Sequence, residues 1–222
     1  MPKLPSILTA GILLGLSTGG AHAALLNASF ETPTVNTGNH IDFVTPGPLT
    51  SYGNWNWTGP AGILAGNVAT GFNPSVLPSG YNGAQYAYLQ GNTSSVAQSF
   101  TLTSAANVNI SWVYAGRPTH SALIDGNTNF QVTAGSLTYT GSTVSDSNFQ
   151  IASLSGTLAA GTYTLLFDNN AAAGDHTLYI DNVTLTVAEP GTIGVLGLGL
   201  MGLVGCKLRG RGKSADLNLA CA

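Results

Sequence analysis

Between Val96 and Val187 apolar and polar side chains alternate in short runs, and no stretch there repeats at the 3.6-residue period of a helix. Residues 96–102, 108–114 and 130–134 alternate cleanly. Successive side chains of a strand point to opposite faces, so each run can turn one apolar face to a core. Further strands are predicted at 136–139, 149–154, 162–167 and 178–187. Asp125-Gly126-Asn127, Ala160-Gly161 and Ala173-Gly174-Asp175 supply turns between them. The pattern predicts an all-β fold, a β-sandwich or jelly roll.

Residues 31–81 are rich in Pro, Gly and Asn and carry Trp55 and Trp57, which predicts loops with a few short strands. A domain of this size buries roughly 70% of the surface of its unfolded chain, enough for a core without staples. Both cysteines, Cys206 and Cys221, lie beyond it, which excludes a disulfide framework for the domain.

Charge is sparse and unevenly placed. Between Ala24 and Glu189 the only cation is Arg117, against the acids Glu31, Asp42, Asp125, Asp146, Asp168, Asp175, Asp181 and Glu189. Nothing there would neutralise phosphates, so no nucleic acid is expected as a partner. The apolar and aromatic content is too high for a disordered chain.

The two ends read as targeting segments. Lys3 precedes an apolar run from Ile7 to Leu16, and Ala21-His22-Ala23 offers small residues to a signal peptidase. Residues 1–23 are therefore expected to be a signal helix, cut between Ala23 and Ala24. At the other end an uncharged stretch from Ile193 to Cys206 is followed by Lys207, Arg209, Arg211 and Lys213. At 1.5 Å per residue that stretch reaches only about 21 Å, so a membrane helix is placed over 191–206, with the basic cluster as its cytoplasmic stop.

Ala188-Glu189-Pro190, the short Gly/Leu-rich helix and the basic cluster together resemble the PEP-CTERM sorting signal, which an exosortase-type transpeptidase recognises and cuts. Two features depart from that pattern: Ala188 stands where the first Pro is usual, and residues 214–222 extend past the basic cluster. The resemblance implies an exported protein, transiently anchored in the inner membrane by its C-terminal helix. It would then reach the cell surface, outer envelope or extracellular matrix, in a system tied to exopolysaccharide. The expected organisation is signal peptide 1–23, β-sandwich 24–186, sorting signal 187–213 and tail 214–222.

Leu25-Leu26-Asn27-Ala28-Ser29-Phe30-Glu31 and the final strand segment Leu178-Tyr179-Ile180-Asp181-Asn182-Val183 resemble the first and last strands of galactose-binding-like jelly rolls. Gln85-Tyr86-Ala87-Tyr88-Leu89-Gln90-Gly91 is also similar to that family, which includes many carbohydrate-binding modules. The resemblance implies that Glu31 and Asp181 share a structural calcium ion. Calcium takes 6–8 oxygens, so backbone carbonyls and Asn27 would complete the set. The competing reading is that both acids satisfy loop amides.

Tyr52, Trp55, Trp57, Tyr81, Tyr86 and Tyr88 are material for a sugar platform, although aromatic residues in a sandwich usually fill its core. Trp112, in phase with Val108 and Ile110, is expected in the core, whereas Trp55 and Trp57 are the surface candidates. Arg117 either contacts a ligand or pairs with a carboxylate.

Catalytic signals are poor. His40, His120 and His176 are scattered, and neither a Gly-x-Ser-x-Gly elbow nor a His-Glu-x-x-His motif occurs. Gly194 to Gly199 mimics a dinucleotide loop by composition only. The expected function is a non-enzymatic surface or matrix protein that binds or decorates extracellular polysaccharide. The alternatives are a purely structural or adhesive coat and, third, a glycoside hydrolase built on two convergent carboxylates.

Overall fold

Each of the seven alternating runs becomes one strand of two facing sheets. A computed structural model describes residues 23–36, 40–42, 50–66, 83–118, 124–145, 148–172 and 174–188. The strands are β1 (His40–Asp42), β2 (Thr50–Tyr52), β3 (Trp55–Thr58), β4 (Ala61–Ala65), β5 (Gln85–Gln90), β6 (Ser95–Leu102), β7 (Ala106–Gly116), β8 (Ile124–Asp125), β9 (Thr128–Ala134), β10 (Leu137–Thr143), β11 (Gln150–Leu158), β12 (Gly161–Asn169) and β13 (Asp175–Ala188).

One sheet has seven strands in the order β1-β4-β5-β13-β7-β11, with β8 pairing in parallel to the start of β13. The other has six, in the order β10-β9-β12-β6-β3-β2. All pairs but β8–β13 are antiparallel. The early Gly/Asn-rich region contributes β1 to β4, the few short strands expected of it. The domain boundary expected at residue 186 falls inside β13, which continues through Ala188 opposite Asn107. Apart from Ala23, Ala24, Val187 and Ala188, the signal and sorting residues lie outside the described residues, and with them both expected terminal helices. Among the described residues no helix is long and apolar enough to cross a membrane.

The inner faces follow the alternation. On β7, Val108, Ile110, Trp112 and Tyr114 share one side. Ile180 (opposite Tyr114) and Leu178 (opposite Gly116) on β13 and Leu154 (opposite Ile110) on β11 extend that face. Leu165 and Phe167 of β12 answer from the opposite sheet. Trp112 meets Phe167 edge-on at 5.5 Å and Tyr139 at 5.1 Å between ring centroids. Burying each such side chain stabilises the fold by about 1.5–3 kcal/mol.

The segment before β1 closes one side of the sandwich by bonding to both sheets. The Gln98 side chain of β6 accepts from the Leu26 amide and donates to the Leu26 carbonyl. The Gln85 side chain of β5 donates to Phe30 and Pro33 carbonyls and accepts from the Val35 amide. Phe30 enters the core against Trp55 and Trp57. The Val183 amide donates to the Ala28 carbonyl at 2.9 Å, so the first segment and last strand do lie together. Two local devices fix the sheets. Gly135, at φ +60°, opens the two-residue turn between Ala134 and Leu137, where an L side chain would be strained. A bulge between Asp181 and Thr184 carries Asn182 at φ 48°.

Candidate functional site

The outward face of the seven-stranded sheet divides into a covered half and an open half. Register places Leu64, Tyr86, Tyr88, Tyr179, Asp181, Val113, Ala115 and Arg117 on this face, away from the other sheet. All eight are nevertheless buried. Tyr86 stacks edge-on against Tyr179 at 5.0 Å and meets Phe149 at 5.8 Å. Burial pushes the Tyr179 hydroxyl above its ordinary value, with Arg117 opposing the rise and Asp175 adding to it. The Arg117 guanidinium donates to Asp175 at 2.9 Å, and Thr177 donates to the other oxygen of that carboxylate. Of the two readings of Arg117, the ion pair is the one this geometry contains.

Further along the same strands the face opens. Ser153, Ser111 and Thr184 form one row across β11, β7 and β13. Ser155, Asn109 and Thr186 form the next, and Thr157, Asn107 and Ala188 the third. Eight of the nine side chains of this lattice therefore carry a hydroxyl or an amide, and none is charged. Rows two residues apart lie about 6.7 Å from one another and strands about 4.8 Å. Ser111 and Thr184 hydroxyls are 2.6 Å apart, and Thr157 donates to Asn107 at 2.6 Å. A hollow of about 340 Å³ lies over the end of the lattice, lined by Asn107, Asn109, Ser155 and Thr186 with Val108, Gly156 and Ala188.

Trp55 and Trp57 are not on any surface, which corrects the expectation. Both are fully buried on β3, alternating with exposed Asn56 and Thr58. Their indole nitrogens donate to the carbonyls of Asn27 and Tyr52 at 3.0 and 3.1 Å. The physical reason is legible in Trp55-Asn56-Trp57-Thr58, which is itself an alternating strand. Its Gly/Asn-rich surroundings disguised it as a loop. Tyr86 and Tyr88 are buried too, while Tyr52 is half exposed and Tyr81 lies outside the described residues.

The residues that line the hollow were missed as candidates. Their signal was the polar phase of the runs that located the core: wherever Val108 and Ile110 point inward, Asn107 and Asn109 must point out.

The calcium donors fit only in part. One Glu31 oxygen accepts from the Ala84 and Gln85 amides at 2.9 and 3.1 Å, and one Asp181 oxygen accepts from the Asn182 amide at 2.6 Å. Backbone amides thus occupy one oxygen of each carboxylate. Among the described residues no three His, Cys, Asp or Glu side chains converge as a metal site.

His176, a scattered residue in the sequence, meets Asp125 at 2.6 Å in a buried pair. Gly126 donates to Ser145 and accepts from Thr143, so the pair ties β8, β13 and the end of β10 into one knot.

No protein-family profile and no curated protein matches the chain. Several solved structures resemble it. TmCBM61, solved in complex with β-1,4-galactotriose, is 14% identical over 75% of this chain and 99% of its own, with a TM-score of 0.49. The CBM22-1 xylan-binding domain of Paenibacillus barcinonensis Xyn10C is 13% identical over 70% of this chain and 99% of its own, at 0.41. A family 35 carbohydrate-binding module from Clostridium thermocellum is 16% identical over 51% of this chain and 86% of its own, at 0.35. The all-β architecture of the chain stands on its own two sheets.

Proposed function

We propose that this chain is an exported, non-enzymatic surface or matrix protein that holds an uncharged polysaccharide on the open half of its seven-stranded sheet. The observation that carries the ligand reading is the hollow lined by Asn107, Asn109, Ser155 and Thr186, free of charge. A sugar hydroxyl both donates and accepts. Asn side chains offer two donors and an acceptor, and Ser and Thr hydroxyls play either role, so these four side chains can pair with sugar hydroxyls while Val108, Gly156 and Ala188 supply the apolar remainder of the lining. The one Arg or Lys among the described residues, Arg117, is buried in an ion pair, so polyanions find no counter-charge there.

Affinity electrophoresis through neutral galactan, xylan, mannan and bacterial exopolysaccharide tests the reading. Retardation of the wild type, lost in the Asn107→Ala/Asn109→Ala double variant at unchanged melting temperature, supports it. Migration unaffected by every polysaccharide overturns it in favour of a structural or adhesive coat.

Export and sorting rest on the signal segment, on Ala188-Glu189-Pro190 and on the basic cluster. Mass spectrometry of the exported product tests them: a new C-terminus near Glu189 supports exosortase processing, and an intact tail in the membrane fraction refutes it. A structural calcium held by Glu31 and Asp181 is a subsidiary proposal, supported by the bond from Val183 to Ala28. A melting temperature that ignores chelator would remove it.

A further inference from the structure

Among the described residues, the two long edges of the sandwich pair with no further strand and lie side by side. Strand β11 ends the seven-stranded sheet and β10 ends the six-stranded one, and a side chain added at Gly156 on β11 would strike Leu137 on β10. These strands are nine and seven residues long, whereas the opposite edges, β1 and β2, have three each. An exposed strand edge offers unpaired amides and carbonyls to any other chain, and monomeric proteins blunt it with lysine, proline, bulges or shortness. None of those devices is present here. From Leu137 to Leu158 there is no proline and no cation, and the only charge is Asp146 in the connection between the strands. Ile151, on the outward face of β11, is 82% exposed, the most exposed large apolar side chain among the described residues.

We propose that β11 is a self-association edge at which a second copy of this chain adds its own β11 in antiparallel pairing. A two-fold axis makes such an interface isologous, so the edge need only complement itself. Charge favours this occupant. The domain is acidic and two copies repel over most of their surface, but Gln150 to Leu158 carries no charge to oppose its own copy. The two-fold register that sets Ile151 opposite Ile151 buries both exposed isoleucines as a cross-strand pair. The two outward faces then continue as one sheet surface, bringing two Asn/Ser/Thr lattices to the same side. The proposal stands on the edge itself and does not need the lattice to bind glycan.

Disulfide trapping and sedimentation test it on the full chain. With Cys206→Ser and Cys221→Ser as background, Ile151→Cys is expected to form a covalent dimer under mild oxidation, while Thr101→Cys, on the six-stranded sheet, stays monomeric. In sedimentation velocity, Ile151→Lys and Ser153→Lys are expected to weaken dimerisation at least tenfold without changing the melting temperature. Both positions point outward on an edge strand, so the fold tolerates them. Equal trapping of both cysteine variants, or sedimentation of both lysine variants like the wild type, overturns the proposal.

Discussion

The His176 imidazole lies 2.6 Å from the Asp125 carboxylate, both side chains buried where β8 meets the start of β13. Two Asn127 donors, its backbone and side-chain amides, complete the shell of Asp125. Burial acts to raise the Asp125 carboxyl, and the His176 and Asn127 hydrogen bonds outweigh it and hold the group below its usual range.

A depressed carboxyl stabilises the fold above its unfolded value, about 3.9, and the contribution disappears as pH falls through the lower folded value. Melting temperature is therefore expected to decline on acidification below about pH 4. Asp125→Asn should cost about 1–3 kcal/mol at neutral pH and flatten that decline. Thermal melts of both proteins from neutral to acidic pH check it, and parallel curves would refute it.

Trp55→Ala is expected to destabilise the domain by about 3–5 kcal/mol, because the ring is fully buried against Phe30 and Phe167. Trp55→Phe should recover most of the packing yet lose the bond to the Asn27 carbonyl, about 1 kcal/mol. Urea unfolding measures both. If Trp55→Ala instead kept full stability, the core position of the ring would be wrong.

Trp55 also shows where sequence pattern succeeds and fails. Every run with unbroken alternation after Val96 became a strand, because period-two patterning requires only that one face be buried. Before Val96 the same period occurs in Trp55-Asn56-Trp57-Thr58, but over four residues amid turn-forming neighbours it was too short to outweigh composition. Arg117 was legible as a pairing residue; its partner Asp175, 58 positions away, was not, since register is set by the whole sheet. The Asn/Ser/Thr lattice was hidden for a different reason. Outward positions look alike in any exposed strand, and only register makes neighbours of Asn109, Ser155 and Thr186.

Asp168 tilts the pH dependence the other way. Alternation places it on the outward face of the six-stranded sheet, opposite Ser95 and Gln131. Partial burial raises its carboxyl above the ordinary value. The only Lys or Arg among the described residues, Arg117, is engaged with Asp175. For a raised carboxyl the native state holds the proton more tightly than the unfolded chain, so the group favours folding when protonated. That contribution is lost as pH rises through the folded value. Asp168→Asn, which removes the charge and keeps the shape, is expected to raise stability at pH 7. Solvent screening at this half-buried site limits the gain to less than about 1 kcal/mol. For a domain of this size that is at most about 2–4 °C in Tm. The gain should shrink towards zero on acidification below about pH 4, where the wild-type carboxyl is itself protonated. Melts of Asp168→Asn and Asp125→Asn over the same pH series should therefore diverge from the wild type in opposite directions at neutral pH. A destabilised Asp168→Asn would mean that the carboxylate is held by a favourable partner and would refute the assignment.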